Sequence, residues 1–210
     1  APAFGSFTSV SAASLELDWT SGGNPAGTLY RVLSSTAPDP ALPGGAAVTL
    51  TETSGLSLSA AGLSADTTYY FRVAALNHNG AATAYTAPRG TATLLGFEPV
   101  FAGFSEVTAG ALRFSFSPNG NAAGTLYRVV SSTAPDPLNP GGALAVSSLT
   151  YNTSLSTAGL AADTTYYFSV AGVNKNGVAT AYTAAAGTAT LLGFAPAFSA
   201  FSGVAEGSLQ

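Results

Sequence analysis

Cysteine is absent from the 210 residues, which excludes disulfides, thiolate-ligated zinc and a thiol nucleophile together. Histidine occurs once, as His78 between Asn77 and Asn79, and one repeat later the same position holds Lys175. A histidine metal site or a histidine base shared by the repeats is therefore not expected, and neither is a cofactor. Charge is scarce: six Lys and Arg against ten Asp and Glu make up 8% of the chain, with a net charge of −4 and a pI near 4.6. Such a surface does not suit phosphate backbones, so nucleic acid is not an expected partner, and little repulsion holds copies of the chain apart. Ala1 is not followed by a basic segment and then an apolar one, so a secretion signal is expected to have been removed or to lie outside the chain. The run from 176 to 205 carries no charge, but Gly177, Gly187, Gly193, Pro196 and Gly203 interrupt it, and no membrane span is expected.

Twelve Phe, nine Tyr and recurrent Val and Thr set the chain apart from disordered segments. Asn24 to Pro40, NPAGTLYRVLSSTAPDP, returns as Asn121 to Pro137, NAAGTLYRVVSSTAPDP, at an offset of 97 with no gap. Leu94-Leu95-Gly96-Phe97 returns at the same offset as Leu191-Leu192-Gly193-Phe194, and the well-preserved stretch Gly62 to Gly80 returns as Gly159 to Gly177. Phe4 and Phe7 map onto Phe101 and Phe104, then onto Phe198 and Phe201. The chain thus reads as one module over 1–96, a second over 97–193 and the opening of a third over 194–210.

Within a copy the apolar spacing is two. Leu15, Leu17 and Trp19 alternate with Glu16 and Asp18; Tyr30 and Val32 flank Arg31; Tyr69, Phe71, Val73 and Ala75 alternate with Tyr70, Arg72 and Ala74. This is the pattern of half-buried strands, with Arg72 and its counterpart Ser169 expected on the exposed side. Turn-forming residues at Ser21 to Pro25, Pro38 to Gly45, Ser64 to Asp66 and Asn77 to Gly80 separate the strands. The fold expected is all-β, as tandem antiparallel β-sandwiches.

These residues resemble the fibronectin type III family: Leu15-x-Leu17-x-Trp19, Tyr30-x-Val32, and the run Leu63, Thr67, Tyr69, Phe71, Val73, Ala75. The run recurs as Leu160, Thr164, Tyr166, Phe168 and Val170, with Gly172 at the last position and Ala171 before it. Phe116 replaces the Trp, and Ala65 and Ala162 stand where the family often has Pro. The resemblance covers both copies and implies an immunoglobulin-like sandwich with Tyr69 and Tyr166 as tyrosine corners, in a secreted repeat protein of bacterial type. The Arg-Gly-Asp tip by which such modules can bind integrins is replaced by Asn77-His78-Asn79-Gly80 and Asn174-Lys175-Asn176-Gly177, and Arg89-Gly90-Thr91 falls on the last strand.

No residue set for catalysis emerges, and no enzyme activity is expected. Glu16 and Asp18 become Arg113 and Ser115 one copy later, which fits a solvated strand face better than an acid–base pair. Asp39, Asp136, Asp66 and Asp163 recur without a second carboxylate nearby, and capping of turns by Asp is expected in place of a metal site. Asn152-Thr153-Ser154 matches a glycosylation acceptor once, with Gly55 in the other copy. Tyr70 and Tyr167 are candidate exposed aromatic contacts, with a glycan as a partner to consider beside cross-strand packing. Phe4, Phe7, Phe97, Phe101, Phe104, Phe194, Phe198 and Phe201 are candidate junction or assembly contacts, set against the alternative that each fills its own module's end. With no polar linker between modules, a stiff array is expected, with adjacent repeats or other copies of the chain as partners. The function expected is that of an extracellular or cell-surface structural protein of a fibre, stalk or layer, self-assembling through its junctions. The alternative is a spacer or carbohydrate-associated module of a secreted enzyme or adhesin.

Overall fold

The computed structural model describes residues 1–194; residues 195–210 of the third copy, with Phe198 and Phe201, fall outside the described residues. The first copy contributes β1 (Ala3–Thr8), β2 (Ser14–Thr20), β3 (Leu29–Ser35), β4 (Val48–Thr53), β5 (Ser57–Ala61), β6 (Thr68–Leu76) and β7 (Arg89–Ala92). Its strands pair antiparallel in two sheets, β1-β2-β5 and β4-β3-β6-β7. The second copy repeats this with β8 (Val100–Ser105), β9 (Ala111–Ser117), β10 (Leu126–Ser132), β11 (Ala145–Thr150), β12 (Ser154–Ala158), β13 (Thr165–Val173) and β14 (Ala186–Ala189), in sheets β12-β9-β8 and β11-β10-β13-β14. The charge-free run from 176 enters β14, as far as the described residues extend.

The two-residue period explains the core. Leu15, Leu17 and Trp19 of β2 meet Tyr30 and Val32 of β3 and Phe71, Val73 and Ala75 of β6, all buried. Leu112, Phe114 and Phe116 meet Tyr127, Val129, Phe168 and Val170 in the second sandwich. Burying each large side chain contributes about 1.5–3 kcal/mol, so inward parity fixes the register. The tyrosine corners are in place: the Ser64 N–H donates to the Tyr69 hydroxyl and the Ala161 N–H to the Tyr166 hydroxyl, both at 2.9 Å.

The copies solve one bend differently. β1 shifts register between Phe4 and Phe7, and Asp18 accepts from the Ser6 N–H at 2.8 Å and the Ser6 hydroxyl at 2.7 Å across Gly5, which has no room for a Cβ. These bonds hold the Asp18 carboxyl below the ordinary range. In the second copy Ser115 replaces Asp18 and Gly103, at φ 152°, replaces Ser6, so glycine supplies by conformational freedom what the carboxylate stabilises in the first.

Asp39 and Asp136 cap turns as expected, accepting from the N–H of Ala41 at 2.9 Å and of Leu138 at 3.0 Å. Arg72 and Ser169 depart from the exposed placement expected of them. Arg72 pairs with Asp39 at 2.9 Å, donates from Nε to the Thr86 carbonyl at 2.8 Å and lies over the Tyr85 ring, while Ser169 is buried. The reason is that β6 and β13 run between a strand on one side and, on the other, the segment leading into the last strand. Even their outward side chains are flanked.

Candidate functional site: the joint between the sandwiches

The turn before β6 and the chain leaving β7 form one end of the first sandwich. The loop between β13 and β14 forms the facing end of the second. That loop is shaped by its own chemistry: Asn174 Oδ1 accepts from the N–H of Asn176 at 3.0 Å and of Val178 at 2.8 Å, and Gly177 takes φ 81° to close the turn. With its oxygen occupied inside the loop, Asn174 turns its Nδ2 to the Thr93 carbonyl of the first sandwich at 3.1 Å and is buried to 3% exposure. The Lys175 N–H then donates to Asp66 Oδ1 at 2.9 Å, and Asn176 Nδ2 to Thr91 Oγ1 at 2.9 Å.

The acceptors are held from the other side. Asp66 sits at φ 47°, a left-handed conformation Asp tolerates better than most residues, with its N–H donating to the Leu94 carbonyl at 3.1 Å. The Thr93 hydroxyl donates to the Ser64 carbonyl at 2.7 Å. An apolar contact completes the joint: a Cβ placed on Gly172 would lie 2.7 Å from Leu95 Cδ1, so Leu95 fills space at the end of the second sandwich that Gly172 leaves open. The connecting chain is tied down as well, with Phe97 N–H donating to Asn121 Oδ1 at 3.2 Å and Asn121 Nδ2 to the Phe97 carbonyl at 2.7 Å. At about 0.5–1.5 kcal/mol per neutral bond, and more for the bond to a carboxylate, this set contributes a few kcal/mol. That is enough to fix an orientation where no flexible linker intervenes.

The phenylalanines singled out in the sequence divide between two roles. Phe7 packs against Phe4 at 5.1 Å and Phe71 at 5.6 Å between ring centres. Phe104 lies 5.6 Å from Phe168 against the core of the second sandwich, and Phe101 stacks 5.6 Å from Phe114 of the same sandwich but remains exposed. Phe97 alone of the described set stands at the joint, over Gly120, and Phe194 is 92% exposed. Tyr70 and Tyr167 are half-buried and lie across Gly90 and Gly187 on the neighbouring edge strand, where a Cβ would meet their rings at 2.6 and 2.7 Å. Each ring covers a glycine that has no side chain to pack. His78 and Lys175 are both exposed. Among the described residues no group of three or more His, Asp or Glu is placed to hold a metal.

Sequence reasoning missed Asp66, Thr91, Thr93, Leu95 and Asn174 as joint residues. The signal for them was retention: each has an identical counterpart one period away.

Comparison with one solved structure agrees with this architecture. A two fibronectin type III domain segment from chicken tenascin is similar with a TM-score of 0.52 at 17% identity, over 90% of this chain and 99% of that one. The FN1–FN3 domains of chicken CNTN1 give a TM-score of 0.42 at 16% identity, over 90% of this chain and 67% of that one. No family model and no curated protein matches the sequence. The chain is a tandem pair of fibronectin type III-like β-sandwiches.

Proposed function

We propose that this is a non-catalytic structural repeat protein of the cell exterior, with modules over 1–96 and 97–193 held end to end so that the array forms or spaces a fibre, stalk or surface layer. The observation that carries this reading is the bonding of three consecutive loop residues, Asn174, Lys175 and Asn176, to Thr93, Asp66 and Thr91 of the other sandwich. A spacer transmits distance and direction only if its modules do not swivel, and the joint supplies that restraint. The gap-free period supports the same reading, since a constant offset places each joint alike. An exterior location is supported by the tandem fibronectin type III-like architecture.

Small-angle scattering on the monomer is expected to give a single elongated form of fixed length, and immunogold labelling of producing cells is expected to mark the surface or an extracellular structure. A broad distribution of lengths, or label confined to the cell interior, would contradict the proposal.

A further inference from the structure

A groove of about 780 Å³ lies at the far end of the first sandwich, lined by Asn24, Ala75, Asn77, His78 and Ala82 among others. One period later these positions are Asn121, Gly172, Asn174, Lys175 and Ala179, the end of the second sandwich against which the first is seated. The groove is already shaped like its occupied counterpart. Asn77 Oδ1 accepts from the N–H of Asn79 at 3.0 Å and of Ala81 at 2.8 Å, and Gly80 takes φ 77°, yet Asn77 is exposed where Asn174 is buried.

The opposite end of the chain is shaped for the matching role. Asp163 sits at φ 51° with its N–H on the Leu191 carbonyl at 3.1 Å, and the Thr190 hydroxyl donates to the Ala161 carbonyl at 2.7 Å, as Asp66 and Thr93 do in the joint. Leu191 and Leu192 are 57% and 68% exposed, whereas Leu94 and Leu95 are half-buried.

We propose that these ends are the two halves of one joint, and that the end carrying Asp163, Thr190 and Leu192 docks into the Asn77–Asn79 groove of a second copy of this chain, head to tail. This rests on the reading of the internal joint as fixed. The internal joint also identifies the occupant. Each residue bonding from the 174–176 loop, and each acceptor it meets, has an identical counterpart at the outer ends of the two described sandwiches, except that His78 replaces Lys175, whose part is played by its backbone N–H. A contact between unlike surfaces leaves one unpaired end of each kind after every addition, so it builds an open filament unless the rotation per copy closes a ring.

One difference gives the proposal a sign. Ala75 places a methyl where Gly172 leaves room for Leu95, so an arriving Leu192 must shift its terminal methyl, and the joint between chains is weaker than the internal one.

Sedimentation velocity of the full chain from about 10 µM to about 1 mM is expected to show growth that does not stop at a dimer. Ala75→Gly is expected to tighten association by about fivefold or more. Leu192→Glu and Ala82→Glu, both at exposed positions, are each expected to stop growth, while their equimolar mixture pairs one to one because each variant keeps one good end. Monomers at every concentration for both the parent chain and Ala75→Gly would overturn the proposal, as would a parent that stops at dimers or a mixture that does not pair. Independent reorientation of the sandwiches within the monomer would instead count against the internal joint, and is read separately by dipolar couplings.

Discussion

The backbone N–H of Lys175 lies 2.9 Å from Asp66 Oδ1, so a loop of the second sandwich is bonded to a turn of the first across 109 residues of chain. Because the donor is a peptide group, the side chain at this position can vary between Lys175 and His78 without loss of the bond. The flanking positions use side-chain amides and do not vary: Asn174 and Asn176 correspond to Asn77 and Asn79.

The two copies provide an internal control for the joint. Asn174→Ala removes two loop caps and the bond to the Thr93 carbonyl, whereas Asn77→Ala removes only the equivalent caps. Denaturant unfolding, with Trp19 fluorescence reporting the first sandwich and circular dichroism reporting both, is expected to show a larger cost for Asn174→Ala, by about 1 kcal/mol. Equal costs would mean that the cross-joint bond contributes nothing.

At the tyrosine corners the hydroxyl is the acceptor, and the N–H groups of Ser64 and Ala161 lie near the surface. Water can partly replace the lost partner, so Tyr69→Phe and Tyr166→Phe are each expected to cost about 0.5–1.5 kcal/mol in chemical denaturation. A cost near zero in both would put the corner's role in doubt.

Trp19 packs edge-on to Tyr30 at 5.8 Å, and its buried Nε1 has no hydrogen-bond partner. Its counterpart Phe116 meets Tyr127 in the same edge-on manner at 4.8 Å. Trp19→Phe gives up apolar area but also removes an unpaired donor, so its calorimetric cost is expected to stay below about 1.5 kcal/mol, against about 3–5 kcal/mol for Trp19→Ala. A cost for Trp19→Phe as large as for Trp19→Ala would contradict this.

Acid is expected to destabilise both sandwiches. Asp18 is held below the ordinary carboxylate range by Ser6, Asp39 by the Ala41 N–H and then Arg72, and Asp136 by the Asn139 amide and the Leu138 N–H. A folded value below the unfolded one means that the unfolded chain binds protons first. The contribution is therefore present above about pH 3.9 and lost as pH falls through the folded values. Thermal midpoints should be flat from about pH 7 to 5 and drop below about pH 4, less so at high salt because all three groups face solvent. Replacing Ser6 and Asp18 together by the Gly and Ser of the second copy should weaken the first sandwich's response, read by Trp19 fluorescence, and leave the part due to Asp39. A midpoint that rises on acidification would refute the assignment.

The fold was legible because its signal is local and repeated. Leu15, Leu17 and Trp19 declare an inward face by parity alone, and Tyr69 and Tyr166 recur at the same place in their strands. The joint was hidden for a physical reason. Asn77 and Asn174 read as turn residues, and their Oδ1 atoms do shape turns, but the bond that matters comes from Nδ2 and depends on whether another sandwich is present. A backbone donor such as the Lys175 N–H leaves no mark in sequence at all. Phe101 and Phe104 stand out by size and position, yet both pack against rings of the second sandwich, Phe101 while still exposed, and the smaller Leu95 makes the contact across the joint. Arg72 was misplaced because alternation reports which face a side chain takes, whereas its burial depends on the Thr86 segment beside it.

The most direct test of the fixed joint is residual dipolar couplings from the full chain in a weakly aligning medium. One alignment tensor is expected to fit the backbone N–H vectors of both sandwiches. Two tensors of clearly different magnitude would contradict it, because they would mean that the sandwiches reorient independently despite Asp66, Thr93 and the 174–176 loop.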